Sequence, residues 1–357
     1  MILSVFLAIG ESWEDFQKKG QDKLLIKNNF YQYSQNFEKV FIFSYGKKSK
    51  KLLKNVFLLG NKYRIHRFVY SFIFPIIYKK EIKQSRIIRG MQITSAIAGS
   101  VSKILYKKKV IINYGYDYGN VAKIEKKYLH ALLFKLMDNI IFNFVDGVIV
   151  TTRQLKKKIS ILTDVPLYLI PNSINTKIFK PMRRKKSIDI LYIGRLEKQK
   201  NLKLIIDAAS LLKKKISTVF IGDGKQRNLL ITHAKINKVN LKILSSKPHN
   251  LLNNFYNKTK IFILPSLEEG HPKALLEAMS CGVAVIGTNV TGIKNLIINN
   301  KNGILSKLDS YELSKKIELL LKNSKLRQKL SSNARQYIIS NYNSISTWKK
   351  EILLLKQ

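Results

Sequence analysis

Glu269 and Glu277 stand eight residues apart across a glycine and a proline, in Leu264-Pro-Ser-Leu-Glu-Glu-Gly-His-Pro-Lys-Ala-Leu-Leu-Glu277. An ionised carboxylate only accepts hydrogen bonds, and one carboxylate can take two adjacent hydroxyls, so the pair suits polyol recognition: one glutamate for a ribose, the other for a hexose. An apolar strand ends at Leu264, a loop holds Glu268, Glu269 and Gly270, and Pro272 opens a helix whose first amides make an anion site. Glu269 then lies in the loop and Glu277 five residues into the helix, about 7 Å along its axis at 1.5 Å per residue. The two carboxylates would bracket a phosphate bound at the helix start.

Positioning such a pair requires a parallel sheet with crossover helices, and the chain reads that way. Short apolar runs alternate with longer amphipathic segments, and predict strands at 40–43, 110–113, 148–151, 188–193, 218–221, 241–244, 261–264 and 283–287. After Gly194, the residues Leu202, Ile205, Ile206, Ala209 and Leu212 form one apolar stripe at helical spacing. The chain has 357 residues, 45% of them hydrophobic, which is material for about two domains at roughly 150 residues each. Proline, asparagine and charge interrupt the periodicity between Leu169 and Lys186. The expected organisation is a first α/β domain over 1–170, a second over 171–335, and a C-terminal helix over 336–357 that returns to the first through Trp348, Ile352 and Leu355.

The formal charge of +43 calls for polyanionic partners, phosphates in particular. Nucleic acid would satisfy the charge, but no helix-turn-helix, zinc-finger or RNA-binding aromatic motif is present, and it would leave Glu269 and Glu277 unexplained. The five histidines are scattered, no Asp-x-Asp occurs, and Cys281 is the single cysteine, so metal-free chemistry is expected. The opening Met1–Gly10 stretch reads as a buried strand better than as a signal peptide, and the longest apolar run, Phe68 to Tyr78, is too short to span a bilayer, which places the protein in the cytoplasm.

The Glu269–Glu277 segment resembles the E-x(7)-E region of retaining glycosyltransferases of family 4. Further pieces agree in order: Asp146-Gly-Val-Ile-Val-Thr-Thr152, Ile170-Pro-Asn-Ser-Ile-Asn175, Ile193-Gly-Arg-Leu-Glu-Lys-Gln-Lys200, Ile221-Gly-Asp-Gly-Lys-Gln-Arg227 and Asn302-Gly-Ile-Leu305. The resemblance is dense in the second half and thin in the first. It implies a GT-B fold, two facing Rossmann-like domains with an interdomain cleft, and a hexosyltransferase that draws on a nucleotide sugar and needs neither metal nor other cofactor. Gly194, Arg195 and Lys200 would then grip the diphosphate, the two cations stabilising the charge that develops as the sugar–phosphate bond breaks. Glu277 would bind ribose hydroxyls and Glu269 the transferred sugar. The backbone around Gly270, His271, Pro272 and Lys273 would meet sugar and phosphate, and the loop at Ser245 would receive the base. His271 departs from the aromatic or apolar residue common at its position, and stands either as a donor to the sugar or as a plain loop residue. A nucleotide-sugar epimerase or a phosphorylase on a related fold is the other enzymatic reading.

In the family the first domain holds the acceptor, a glycan or lipid-linked sugar in cell-surface polysaccharide synthesis. Arg89, Tyr116 and Asp117 sit at strand ends that would face it. Front-face attack on the donor is expected, since no nucleophilic carboxylate stands beside the diphosphate grip. The stretch from Lys47 to Arg89 carries 13 basic residues, Glu81 as its one acid, and seven interleaved Phe or Tyr. That combination suits an anionic membrane surface, at about 1 kcal/mol per basic residue, and predicts a peripheral location on the inner face of the cytoplasmic membrane.

Overall fold

The computed structural model describes residues 1–18, 20–115 and 117–357, with every side chain among them except those of Asn28, Asp138 and Asn139. The chain divides into two α/β units. Met1–Asp117, Leu132–Ile170 and Trp348–Gln357 make the first, and Tyr118–Ala131 with Pro171–Thr347 the second.

In the first unit, β1 (Ile2–Phe6), β2 (Lys39–Phe43), β3 (Lys50–Leu53), β4 (Val56–Leu59), β5 (Ile87–Gly90), β6 (Lys109–Tyr114), β7 (Gly147–Val150) and β8 (Leu167–Leu169) form one sheet in the order β3-β4-β2-β1-β5-β6-β7-β8. Neighbours run parallel except β3 and β4. The opening residues are a central strand, as expected: Leu3, Val5 and Phe6 are fully buried between β2 and β5. Part of the Lys47–Arg89 stretch is built into the unit, because β3 and β4 extend the sheet and Tyr70, Phe74 and Tyr78 pack inside. Tyr63, Phe68 and Phe72 remain more than half exposed.

The second unit has a six-stranded parallel sheet of β9 (Ile188–Ile193), β10 (Thr218–Ile221), β11 (Leu241–Leu244), β12 (Thr259–Leu264), β13 (Ala284–Thr288) and β14 (Ile304–Ser306), in the order β11-β10-β9-β12-β13-β14. The apolar stripe after Gly194 becomes the Lys203–Ser210 helix, which buries Ile205, Ile206 and Ala209 against the sheet. The Ser310–Lys322 and Ser324–Asn341 helices put Leu313, Ile317, Leu330, Ala334 and Ile338 into the same core. The chain rejoins the first unit at Trp348.

That return is made by the Ser344–Lys356 helix. It sets Trp348 edge-on to Tyr33 at 5.4 Å, and it brings Glu351 to within 2.8 Å of both Arg89 Nε and Tyr33 Oη. Arg89, expected to face an acceptor, is 4% exposed, and its guanidinium also donates to the carbonyl of Gly90. An arginine at the end of a buried strand needs a counter-ion, and the last helix supplies it. We predict that Glu351→Ala, which leaves this guanidinium buried and unpaired, lowers stability by roughly 3–5 kcal/mol in urea denaturation. A loss under about 1 kcal/mol would show that the guanidinium is satisfied without Glu351.

Candidate functional site

In the second unit the chain builds outward from β9 through β10 to β11, then returns to the other side of β9 with β12. In such sheets the loops beyond the carboxyl ends of the two strands flanking the reversal part from each other, and ligands bind there. Gly194, Arg195, Lys200, Ser245, Glu269, Gly270, His271, Pro272 and Lys273 all follow the carboxyl ends of β9, β11 or β12.

Three of these loops interlock. Gly194 leaves β9 at φ +155, and its amide donates to Ile221 at 3.0 Å. Gly222, at φ +151, tolerates no side chain, since a Cβ would lie 1.9 Å from the Gly194 carbonyl oxygen. On the opposite side the Leu267 amide donates to Gln199 at 2.9 Å, and Gln199 Nε2 to the Glu268 carbonyl at 2.6 Å. Lys200 Nζ lies 2.6 Å from Glu269 Oε1, and the Ser266 hydroxyl donates to the same oxygen at 2.6 Å. Both side chains of the ion pair are mostly buried. Glu269 Oε2 has no hydrogen-bond partner among the described residues. Arg195 is exposed.

Pro272 precedes the Lys273–Ser280 helix and gives it no side-chain cap, and among the described residues no acceptor meets the amides of Lys273, Ala274 and Leu275. Glu277 is 4% exposed, with Oε1 at 2.8 Å from His249 Nε2 and Oε2 accepting from the Tyr256 hydroxyl at 2.8 Å. Its burial, with Glu277 next to it, holds the Tyr256 hydroxyl well above its usual range. Neither His249 nor Tyr256 figures in the reading of the sequence. Their seven-residue separation on the His249–Asn257 helix, which puts both on one face, is the signal that could have found them.

His271 is buried, its ring 5.1 Å from that of Tyr342, with Nδ1 unpartnered and its carbonyl accepting from Asn172 Nδ2 at 2.7 Å. Desolvation, then the neighbouring Lys273 ammonium, depress its pKa from 6.5 to about 3. Gly292 lets its turn lie under this loop, since a Cβ there would meet the carbonyl oxygens of Glu269 and Gly270 at 2.3 Å. Ser245 is exposed, beside Ser246, whose amide donates to Asp223 Oδ2 at 3.0 Å. Hydrogen bonds from Ser246 hold the Asp223 carboxyl below its ordinary range.

In the first unit Asp117 pairs with Lys158, and Tyr116 lies outside the described residues. Among the described residues no group of three His, Cys, Asp or Glu could hold a metal ion, and no helix is long and apolar enough to cross a membrane.

Residues 173–337 match the family model of glycosyl transferases group 1. Over that span, which is 46% of the chain and lies in the second unit, the sequence is similar to this family. An alpha-1,3-N-acetylgalactosaminyltransferase of Campylobacter jejuni, named for N,N'-diacetylbacillosaminyl-diphospho-undecaprenol, is 28% identical over 259 residues, 67% of this chain and 68% of that protein. The UDP-Gal:alpha-D-GlcNAc-diphosphoundecaprenol alpha-1,3-galactosyltransferase of Escherichia coli is 28% identical over half of each chain. The solved structure of sucrose-phosphate synthase from Thermosynechococcus elongatus superposes with a TM-score of 0.84 at 16% identity, covering 100% of this chain and 98% of that one. The two parallel-sheet units have the GT-B fold anticipated from the motifs.

The buried imidazole gives a pH signature. As pH falls below 6.5 the unfolded chain protonates His271, whereas the folded chain resists down to about pH 3, so stability declines across that window. Between pH 7 and pH 5 this group alone contributes a loss of about 2 kcal/mol. His271→Phe is expected to flatten that slope in thermal unfolding at the two pH values, and an unchanged slope would place the proton uptake elsewhere.

Proposed function

We propose that this glycosyltransferase moves a hexose from a nucleotide sugar to a lipid-linked saccharide acceptor, with retention at the anomeric carbon and without a metal. The observation that carries this is the junction of Lys200 with Glu269, which sets a cation and a sugar-accepting carboxylate side by side at the sheet reversal, beside the open amides of the Lys273–Ser280 helix. Lys200 and Arg195 stabilise the departing diphosphate, and Glu269, with Oε2 open, accepts from hydroxyls of the sugar. The acceptor oxygen bonds to the anomeric carbon as the carbon–phosphate oxygen bond breaks, and the proton passes to the leaving diphosphate on the same face. The two relatives whose names carry a diphospho-undecaprenol support an acceptor of that class.

The first unit is the natural seat of that acceptor, and its surface suits a membrane. The Arg67–Ile77 helix turns Tyr70, Ser71 and Phe74 inward and leaves Phe68, Val69, Phe72 and Ile76 each more than half exposed. Arg64, Arg67, Lys79, Lys80 and Lys83 are exposed or half-exposed around them, and Glu81 is the acid in their midst. Apolar side chains entering the headgroup layer with lysines on the phosphates would hold the enzyme at the leaflet where a lipid-linked acceptor resides.

Thermal unfolding with UDP, GDP, ADP and their common sugars tests the donor: one nucleotide is expected to raise Tm, because a ligand of the native state adds about 2.7 kcal/mol at a hundredfold excess over its Kd. Lys200→Ala and Glu277→Ala should each reduce transfer by roughly a hundredfold or more while leaving the fold intact, and EDTA should leave transfer unchanged. Full activity in both variants would overturn the site assignment. In sedimentation with vesicles containing phosphatidylglycerol, Phe68→Ser with Phe72→Ser should release most of the bound protein, and equal retention of variant and wild type would refute the membrane role of this helix.

A further inference from the structure

Glu277 does not hang free in its site. Both of its oxygens are held by one neighbouring helix, His249–Asn257, whose first residue donates from the ring and whose eighth donates from a phenol. The two donors differ in character. Tyr256 is fully buried, and its hydroxyl also lies 3.2 Å from the Ala274 carbonyl, so it is a fixture of the core. The His249 side chain is 18% exposed, its ring standing edge-on to Phe179 at 4.8 Å. Its Nε2 faces a carboxylate and so carries a proton, while Nδ1 is buried with no partner. Among the described residues nothing polar bonds to Nδ1; the bond to Glu277 and the contact with Phe179 orient the ring.

Each carboxylate oxygen has two acceptor positions. With one on each taken by His249 and Tyr256, one on each remains, and the bond from His249 fixes the plane in which these two lie. We propose that His249 is a positioning residue for the donor nucleotide: by donating to Oε1 it orients Glu277 to accept from the 2′ and 3′ hydroxyls of a ribose, and so gives the enzyme its preference for ribonucleotides. This rests on the nucleotide-sugar reading above. Without the imidazole the carboxylate would turn about its remaining bond to Tyr256 and meet the two hydroxyls less well, while the diphosphate grip at Lys200 stayed in place.

The test is titration calorimetry with UDP, GDP and their 2′-deoxy counterparts. Wild type should bind the ribose form of its nucleotide roughly tenfold or more tightly than the deoxy form, as expected for one hydrogen bond to a charged acceptor. His249→Phe should bring the two forms to within about twofold by weakening the ribose form alone, and His249→Gln, which returns an N–H donor, should recover most of the preference. In turnover His249→Phe should raise KM for the nucleotide sugar with kcat nearly kept. A residue that merely supports the fold would weaken both nucleotide forms alike. His249→Ala, which demands no new space, gives the same comparison where the phenylalanine variant fails to fold. An unchanged ribose preference in the folded variant, or no such preference in wild type, would overturn the role of His249. Wild type that binds neither UDP nor GDP would instead overturn the nucleotide-sugar reading for those donors.

Discussion

The second unit turns on a buried ammonium held against a buried carboxylate. Lys200 and Glu269 come from loops 69 residues apart, and they meet at 2.6 Å only because β12 returns to lie beside β9. Taking two such charges out of water is repaid only with good geometry and further hydrogen bonds, and even then an apolar pair of similar volume is often as stable. What the pair achieves is placement. Ser266 on the same oxygen and Gln199 against the Glu268 backbone fix the two loops to each other, so neither charged group can drift without orphaning the rest. On the β10 side, Gly222 lets the backbone come so close to Gly194 that any side chain would force the strand ends apart.

Both units share a device, a central strand flanked on either side by later ones, yet the charges at their strand ends are used differently. In the second unit the carboxyl end of β9 leads into the loop that holds the exposed Arg195 and the paired Lys200. In the first, Arg89 at the end of β5 is drawn inward to Glu351 and Tyr33. A charge at a strand end is thus no guide to function until its partner is known.

This explains what could be read from the chain and what could not. The strands β9, β10, β12 and β13 are short runs rich in Ile, Val, Phe and Leu, and the Leu202–Ala209 stripe is periodic, so local pattern sufficed to lay out the second unit and to set Lys200 and Glu269 at strand ends. The β3–β4 hairpin escaped notice because Lys50 and Lys51 open a strand that reads as basic surface. The partners of Glu277 lie 21 and 28 residues away, and Glu351 lies 262 residues from Arg89, distances at which sequence carries no trace of contact. His271 stood open between two roles; its burial under Tyr342 makes it a neutral imidazole.

The last helix bears on the order in which the molecule is made. Val56, Leu58 and Val40 share a hydrophobic core with Ile352, Leu354 and Leu355, so residues 1–170 keep an uncovered apolar face, and an arginine without its counter-ion, until the Ser344–Lys356 helix leaves the ribosome. At roughly 5–20 residues per second that delay amounts to about 10–40 s after residue 170 has been added. During it the second unit can already fold, so the first unit is completed after the second.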